Sequence, residues 1–363
     1  MSDQRPRRLA ALLESLTAAH VDALLVTGLA NVRYLTGFSG SSALLLVSQR
    51  DTVLITDFRY QTQAADEVGD AARVLIEPQS LWTGLWQQLA QLASVQVIGF
   101  ESAHVLHRDF QRLMEAGARW QWRPTLDLVE TLRERKDPGE VMRIERAAGV
   151  AIRALERTLA KVRVGMSELQ VAGVLERALR DEGSEGFPFP SIVATGARSA
   201  LPHARASSAR ICDGDILLLD FGAEVEGYCS DITRTVVVGR ATAEQREIYD
   251  VVRKANEQAA HDIRPGMTGR DADAIARGYI ERRGFGELFG HGLGHGVGLE
   301  VHEAPRLART ADTALAEGAV VTIEPGVYRP GWGGVRIEDD VVLDASGPRI
   351  LTEFTRELIE IRG

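Results

Sequence analysis

Two strand–turn–strand segments in the C-terminal half of the chain constrain its fold most strongly. The first reads ILLLDFGAEVEGYCSDITRTVVVG (216–239) and the second reads VVTIEPGVYRPGWGGVRIEDDVVL (320–343). Each joins two apolar, β-branched runs, typical of buried strands, through a turn that contains glycine. Each also places acidic residues inside those apolar runs. The sequence therefore predicts two antiparallel hairpins that carry carboxylates on buried strands.

A simple hairpin would bring the two acids of each segment face to face. A turn centred between positions 225 and 226 would place Asp220 directly opposite Asp231, and a turn centred on Gly331 would pair Glu324 with Glu338. Directly opposed residues have Cβ atoms about 4.5–5.5 Å apart. Two charges about 5 Å apart repel by about 3 kcal/mol at an effective dielectric near 20. A bound multivalent cation would remove this cost, and so would protonation of some of the acids.

A third segment, FGHGLGHGVGLEVHEAP (289–305), carries three histidines: His291, His295 and His302. Its alternating glycines disfavour a helix, so the four-residue gap between the first two histidines is not a helical metal pair. The segment also lacks the His-Glu-x-x-His pattern of helical zinc sites. One imidazole together with four carboxylates suits a pair of divalent ions such as Mn²⁺, Co²⁺ or Zn²⁺.

The rest of the chain predicts two domains. Short apolar strands alternate with helical patterns up to about residue 130, which indicates an α/β domain. The charged stretch TLRERKDPGEV (131–141) contains a Pro-Gly break and predicts a boundary. We therefore expect domains at 1–132 and 133–363, the second of which mixes helices with antiparallel hairpins (α+β). Its predicted helices span 140–162, 167–183, 242–261 and 270–284.

Composition excludes several classes of protein. With 42 Lys and Arg against 51 Asp and Glu, the net charge is −9, which argues against a nucleic-acid partner. No apolar run approaches the ~18 residues of a membrane helix. The two cysteines, Cys212 and Cys229, are too few for a disulfide framework. Acidic residues interrupt the N-terminal stretch, so it predicts an amphipathic helix and not a signal peptide. We expect a soluble cytoplasmic protein.

These motifs resemble the pita-bread metallopeptidases, which include Xaa-Pro dipeptidases (prolidases), Xaa-Pro aminopeptidases and methionine aminopeptidases. The resemblance rests on LPHARAS, DFG, SDITRT, GHGVGLEVHE, TIEPGVY and GGVRIEDD, from about Lys136 onwards. In the N-terminal part, NVRYLTGFSG and ITDFRY are similar to the creatinase-like domain of the proline-specific branch, which methionine aminopeptidases lack. The resemblance implies a creatinase-like α/β domain followed by a pita-bread catalytic domain.

The resemblance also implies a ligand set for two divalent metal ions, with Mn²⁺ favoured and Co²⁺ or Zn²⁺ as alternatives. Asp231 and Glu338 match the bridging carboxylates of the family. Asp220 matches a ligand of one ion, whereas His295 and Glu324 match ligands of the other.

The family's chemistry implies roles for further side chains. By this resemblance, a metal-bridged hydroxide would attack the scissile carbonyl, while Glu324 would act as general base and return the proton to the proline nitrogen. His302 and His203 resemble the histidines that stabilise the oxyanion or orient the substrate. His291 resembles a residue of the proline pocket, and Arg336 resembles an arginine that supports the ligands.

Arg306, in HEAPR, separates the two proline-specific activities. Prolidases resemble one another in carrying an arginine here for the C-terminal carboxylate of a dipeptide, which a guanidinium fork suits. The sequence therefore favours a prolidase, with an Xaa-Pro aminopeptidase that accepts longer peptides as the alternative. A metal-free creatinase-like amidinohydrolase and a non-catalytic peptide-binding module are disfavoured because all five ligands are present. The family resemblance also predicts a homodimer.

Overall fold

The structure is a computed structural model that describes residues 3–116 and 119–361. The chain divides into two compact units, Met1–Arg133 and Glu134–Gly363. In the part of the chain that the structure describes, no helix is both long and apolar enough to cross a bilayer.

The N-terminal unit is a layered α/β fold. Its helices are α1 (Arg5–Ala18), α2 (Leu29–Thr36), α3 (Gln61–Val68), α4 (Leu81–Gln91), α5 (His107–Ala116) and α6 (Glu130–Arg133). Its strands are β1 (Ala23–Val26), β2 (Ala43–Ser48), β3 (Thr52–Thr56), β4 (Arg73–Ile76), β5 (Val97–Glu101) and β6 (Gln121–Thr125). They form one mixed sheet in the order β4-β3-β2-β1-β5-β6. Because β1 and β2 are buried along their whole length, they read as continuous apolar runs.

Four helices of the C-terminal unit confirm the helices predicted there, to within three residues at each end. They are α7 (Pro138–Leu159), α8 (Glu168–Asp181), α9 (Ala243–Asp262) and α10 (Gly269–Arg282). Each begins with a capping box, in which the N-cap side chain and the third helical residue exchange hydrogen bonds with each other's backbone. The N-cap residues are Asp137, Ser167, Thr242 and Thr268.

The strands of the C-terminal unit form two main sheets, each covered by one pair of helices. The strands are β7 (Ile192–Thr195), β8 (Ile216–Phe221), β9 (Glu224–Val225), β10 (Tyr228–Cys229), β11 (Ile232–Val238), β12 (Gly294–Gly296), β13 (Glu303–Leu307), β14 (Val320–Ile323), β15 (Gly326–Arg329), β16 (Gly333–Arg336), β17 (Asp339–Asp344), β18 (Gly347–Ile350) and β19 (Glu360–Ile361). Helices α7 and α8 pack on the sheet β19-β11-β8-β7, whereas α9 and α10 pack on β13-β12-β14-β17-β18. The predicted α+β mixture is confirmed.

The predicted register of the first hairpin is wrong by two positions. Thr233, not Asp231, lies directly opposite Asp220. The chain turns at Glu226 and Gly227, whose φ angles of 50° and 77° are both positive. A two-residue hairpin turn of this kind matches the twist of the flanking strands, so it sets the register. The two aspartates are diagonal neighbours on one face of the hairpin, and not a directly opposed pair.

The predicted register of the second hairpin is confirmed, but its strands are not continuous. Gly326 pairs with Arg336 in one sheet, and Ile323 pairs with Asp339 in another. Both sets of pairs follow the register that a turn centred on Gly331 requires. Each strand is interrupted between the two sheets, once at positions 324–325 and once at 337–338. The two glutamates therefore occupy the interruption, where the chain passes from one sheet to the other.

Candidate metal centre

The four carboxylates converge because hydrogen bonds join the two hairpins, several of them made by Thr233. Its carbonyl oxygen accepts a hydrogen bond from the Glu338 N–H at 3.1 Å. Its hydroxyl donates to Glu338 Oε2 at 2.5 Å. Because Thr233 also lies opposite Asp220, the acids of the two hairpins share one buried region. The sequence analysis did not identify Thr233, although its position two residues after Asp231 places both side chains on one face of the strand.

His295 completes the group from strand β12. Its Nε2 atom lies 3.5 Å from Glu324 Oε1 and 3.8 Å from Asp231 Oδ2. One ligand atom each from Asp231, His295 and Glu338 lie within 4.8 Å of one another. The flanking glycines permit this approach: a Cβ on Gly294 would lie 2.0 Å from the carbonyl oxygen of Thr322. The structure therefore brings all five predicted ligands to one place.

Burial and mutual repulsion raise the pKa values of these acids in the absence of a cation. Burial, and then the charge of Glu338, raise the pKa of Asp231 well above its ordinary value. Burial, and then Glu324, do the same to the pKa of Glu338. Burial raises the pKa of Glu324 to about 8, although Arg336 opposes this. Burial lowers the pKa of His295 to about 4, which favours the neutral imidazole that binds metal.

The donor set fits divalent metal ions. Among the described residues, Asp231 Oδ1 is buried and has no hydrogen-bond partner. A buried acceptor in this condition is costly unless a cation or a donor occupies the space beside it. Oxygen atoms from four carboxylates and one imidazole nitrogen form a mixed ligand set that suits ions of intermediate hardness.

Arg336 holds one side of the centre through a chain of contacts. Its Nη2 donates to Asp220 Oδ2, and its Nε donates to Thr233 Oγ1 at 3.1 Å. Its Nη1 donates to Tyr328 Oη at 2.8 Å, and that hydroxyl lies 2.9 Å from His291 Nε2. Arg336 thus links a predicted ligand to a predicted pocket residue. Tyr328, which the sequence analysis did not single out, lies in the middle of this chain.

The remaining predicted site residues lie at the exposed edge of the group. The ring centroids of His302 and His295 are 4.3 Å apart. Arg306 is exposed and stands directly opposite His295 in the pairing of β12 with β13. His203 is exposed on the segment between β7 and β8, where its imidazole interacts electrostatically with Asp220.

Two further acids beside Glu338 support the site and were missed by the sequence analysis. Asp340 Oδ2 accepts the Asp231 N–H at 2.9 Å. Asp339 forms buried ion pairs with Arg234 and Arg356, each at 2.7 Å. Because neighbouring strand residues point to opposite faces, Asp340 lies on the same face as Glu338, whereas Asp339 lies on the other.

A buried ion pair fixes the histidine segment from α10. Asp273 pairs with Arg277 at 2.6 Å and accepts the Leu293 N–H at 3.0 Å. Arg277 Nη2 donates to the carbonyl oxygen of His291 at 2.6 Å. This segment lacks regular structure around residue 291, so side chains of the helix satisfy its backbone groups.

Family comparisons agree with this geometry. Residues 142–345 match the metallopeptidase family M24, and residues 8–135 match the Creatinase/Prolidase N-terminal domain. The chain belongs to metallopeptidase family M24. Family membership implies divalent metal ions as cofactors, and the candidate ligands described above are present to hold them.

Relatives of this M24 chain match it over nearly its full length. The uncharacterized peptidase YqhT of Bacillus subtilis is 41% identical over 339 residues, which cover 93% of this chain and 96% of that protein. The Xaa-Pro dipeptidase of Pyrococcus horikoshii is 36% identical over 350 residues, covering 96% of this chain and 97% of that protein.

Solved structures of this M24 family show the same fold. An Xaa-Pro dipeptidase from Bacillus anthracis superposes with a TM-score of 0.95 at 40% identity, covering 98% of this chain and 99% of that one. An X-Pro aminopeptidase from Thermotoga maritima superposes with a TM-score of 0.89 at 37% identity, covering 97% and 99%. The creatinase-like and metallopeptidase domains expected from the sequence are confirmed.

Metal binding to this M24 protein should stabilise it more at pH 8 than at pH 5. Because the folded pKa of Glu324 is about 8, the metal-free native state keeps a proton that the unfolded chain has already released. The contribution of this group to stability is complete below the ordinary value of 4.5 and is lost as the pH rises through about 8. A metal ion at 100 times its Kd adds about 2.7 kcal/mol, which for a chain of this length corresponds to a rise of about 4 °C in the thermal midpoint.

Thermal unfolding of chelator-treated protein, with and without Mn²⁺ at the two pH values, measures this difference. The Asp231→Asn variant is the control, because it lacks one carboxylate of the centre and should lose most of the metal-induced shift. A shift at pH 5 that equals or exceeds the shift at pH 8 would contradict the prediction.

Proposed function

We propose that this protein is an Xaa-Pro dipeptidase that works with two divalent metal ions, and that Mn²⁺ is its native metal. The observation that carries the proposal is the convergence of four carboxylates, three of them buried, and one imidazole, with Asp231 Oδ1 unpartnered among the described residues. The Xaa-Pro dipeptidase of Pyrococcus horikoshii, 36% identical over 350 residues, supports the choice of substrate.

The proposed ligands divide between the two ions as the family resemblance implies. Asp231 and Glu338 would be shared, Asp220 would bind one ion, and His295 with Glu324 would bind the other. When bound, the ions would supply an acidified water as nucleophile and polarise the scissile carbonyl. The oxygen-rich set of ligands suits Mn²⁺, with Co²⁺ and Zn²⁺ as the alternatives that reconstitution would distinguish.

Glu324 is the proposed general base and proton carrier. The peptide nitrogen of an Xaa-Pro bond carries no N–H, so it must gain a proton to leave as the amine of proline. Burial raises the pKa of Glu324 to about 8 before a cation is present, so this carboxyl can hold a proton near neutral pH. Nearby positive charge would favour the carboxylate that accepts it.

Histidines surround the position where the substrate would lie. We assign His302 and His203 to the developing oxyanion, because both are exposed at the edge of the proposed metal centre. His291 would line the proline pocket: its ring lies edge-on to Phe289 at 5.1 Å and 5.4 Å from the ring of Tyr328. This aromatic surface suits the apolar ring of proline.

Arg306 is the proposed specificity residue for dipeptides. It is exposed and stands directly opposite His295, so its guanidinium can reach a carboxylate that projects from the centre. A dipeptide places its C-terminal carboxylate there, whereas a longer peptide continues as a neutral amide. The similarity to the Thermotoga maritima X-Pro aminopeptidase keeps that activity as the second candidate.

Paired hydrolysis of Ala-Pro and Ala-Pro-Ala, before and after Mn²⁺ is added to chelator-treated protein, tests the proposal. We expect metal-dependent cleavage with the dipeptide preferred at least about tenfold. A preference for the tripeptide would identify an Xaa-Pro aminopeptidase. Failure to cleave either peptide with metal bound would favour a creatinase-like amidinohydrolase or a peptide-binding module.

In the same assay, Arg306→Ala should lower kcat/KM for Ala-Pro by about 10- to 100-fold, mainly through KM. A hydrogen bond to a charged group contributes about 1.5–3 kcal/mol, which gives this range. Ala-Pro-Ala should be affected little, because it has no carboxylate at that position. Arg309→Ala is the matched control, since Arg309 is also exposed and pairs with Glu281 at 3.2 Å. Equal losses on the two peptides would refute the carboxylate role.

Homodimerisation and a cytoplasmic location remain predictions. The first comes from the family resemblance and the second from the N-terminal sequence and the few cysteines. Sedimentation of the purified protein would test the dimer directly. The proposed partners are proline-containing dipeptides or oligopeptides, with no nucleic acid and no membrane among them.

A further inference from the structure

One buried carboxylate fixes the segment that carries His203. Glu168, the first residue of α8, is fully buried. Its Oε1 accepts the Thr195 N–H at 2.9 Å, and its Oε2 accepts the N–H and the hydroxyl of Ser207 at 2.9 and 2.6 Å. Arg198 Nε donates to both oxygens, at 2.9 and 3.1 Å. Glu168 therefore holds both ends of the segment 195–207 in place through hydrogen bonds.

The middle of the segment is tied to the proposed metal centre. Arg336, which contacts Asp220, also donates from Nη1 to the carbonyl oxygen of Pro202 at 3.2 Å. Pro202 directly precedes His203, whose own side chain is exposed. The position of that imidazole therefore depends mainly on the path of the backbone, and Glu168 controls where this path begins and ends.

We propose that Glu168 is a positioning residue for His203, and thereby for the reaction. The proposal rests on the role of His203 in the proposed function. A displacement of about 1 Å in a group that contacts the transition state costs about 100-fold in rate. Four donors need both carboxylate oxygens, and one donor is a guanidinium, so the charge of Glu168 is required as well as its shape.

Glutamine at position 168 would keep the volume of the side chain but not its function. An amide offers one acceptor oxygen and one NH₂ group, so the donors at one end of the segment would face another donor. The backbone bonds of the Glu168 and Leu169 N–H groups to Ala209 and Ser207, both at 3.0 Å, would remain. The fold should therefore survive while the segment loosens.

A double-mutant cycle tests whether Glu168 acts through His203. In protein reconstituted with Mn²⁺, Glu168→Gln should lower kcat/KM for Ala-Pro by about 10- to 100-fold with metal content unchanged. The double variant with His203→Ala should be no more than about threefold below His203→Ala alone, because both changes disable the same group. Losses that multiply, or a His203→Ala variant with unchanged kcat/KM, would overturn the proposal.

The matched control is Glu140→Gln. Glu140 is also a buried glutamate in the first turn of a helix, where it accepts hydrogen bonds from Tyr228 Oη and from the Asp137 N–H, both at 2.9 Å. It therefore reproduces the loss of a buried, hydrogen-bonded carboxylate. Its kcat/KM should stay within about threefold of wild type, and a loss equal to that of Glu168→Gln would overturn the proposal.

Hydrogen exchange separates this proposal from the proposed function. In chelator-treated Glu168→Gln protein, amides between residues 196 and 206 should exchange at least tenfold faster than in wild type, and Glu140→Gln should not change them. Unchanged exchange would overturn the role of Glu168. A wild-type protein that cleaves neither peptide would overturn the proposed function and, with it, the prediction of the double-mutant cycle. The hydrogen-exchange experiment would still test whether Glu168 fixes the segment, because it does not depend on activity.

Arg198→Met keeps the proposal testable if Glu168→Gln does not fold. This side chain is about one-third exposed, so its replacement should be tolerated, yet it removes the guanidinium that binds both oxygens of Glu168. We expect faster amide exchange across residues 196–206 in this variant. We also expect it to lose activity, but to cause no further loss when it is combined with His203→Ala. Wild-type exchange and activity in this variant would overturn the proposal.

Discussion

Replacing Asp231 by alanine should lower kcat/KM for Ala-Pro by at least about 1,000-fold, since a bound metal contributes several kcal/mol to catalysis. Asp231 lies 3.8 Å from His295 and within 4.8 Å of the ligand atom of Glu338, and its Oδ1 has no partner among the described residues. It is one of the two ligands that we propose to be shared by the ions, so its loss should affect both. Metal titration and peptide hydrolysis on the same sample measure the two effects.

A substitution at Asp231 should also increase the thermal stability of the metal-free protein, although it removes activity. Asp231→Asn keeps the volume of the side chain but cannot ionise. Because burial and the charge of Glu338 raise the pKa of Asp231, folding near pH 8 requires this carboxyl either to take up a proton or to bury its charge. The amide avoids both costs, so the thermal midpoint of the metal-free protein should rise.

The control for general damage lies in the N-terminal unit. Asp22→Ala removes a carboxylate that accepts the N–H groups of Gln96 and Val97, each at 2.9 Å. This variant should lose stability and keep its activity. Near-wild-type turnover by fully metallated Asp231→Ala protein would refute the two-metal assignment.

The contrast between the two hairpins shows how far the sequence determines the geometry of this site. The second register could be predicted because Pro330 and the glycines that follow it locate the turn clearly. The first was missed because Glu226 adopts a positive φ that is uncommon for a residue with a Cβ. Gly227, which follows Glu226, is the sequence feature that indicates this turn, since its second central position favours glycine.

The metal ligands could be predicted from the sequence, whereas the residues that support them could not. The five ligands could be named because the motifs around them resemble a known family. Thr233, Asp340 and Glu168 could not, because each acts through a partner distant in sequence; Thr233 and Glu338 are 105 residues apart. No local pattern marks such a contact, since it depends on how the strands assemble.

Glu324→Gln should separate catalysis from substrate binding. The amide keeps the shape of the side chain and can keep the 3.4 Å contact with Thr322 Oγ1, but it cannot accept and return a proton. Loss of a positioned general base costs about 100- to 10,000-fold, so kcat should fall by this amount while KM for Ala-Pro stays within a few-fold. Steady-state kinetics at saturating Mn²⁺ measure both constants.

The pH profile and the metal content decide whether Glu324 acts as a base or only as a ligand. If Glu324 is the base, the fall in wild-type kcat at acid pH reports its protonation, and Glu324→Gln should remove that limb of the profile. Glu338→Gln is the contrasting variant, because a shared ligand should lose metal and kcat together. A metallated Glu324→Gln protein that keeps kcat within tenfold of wild type would exclude Glu324 as the base, because an amide cannot deliver the proton that the proline nitrogen needs to leave.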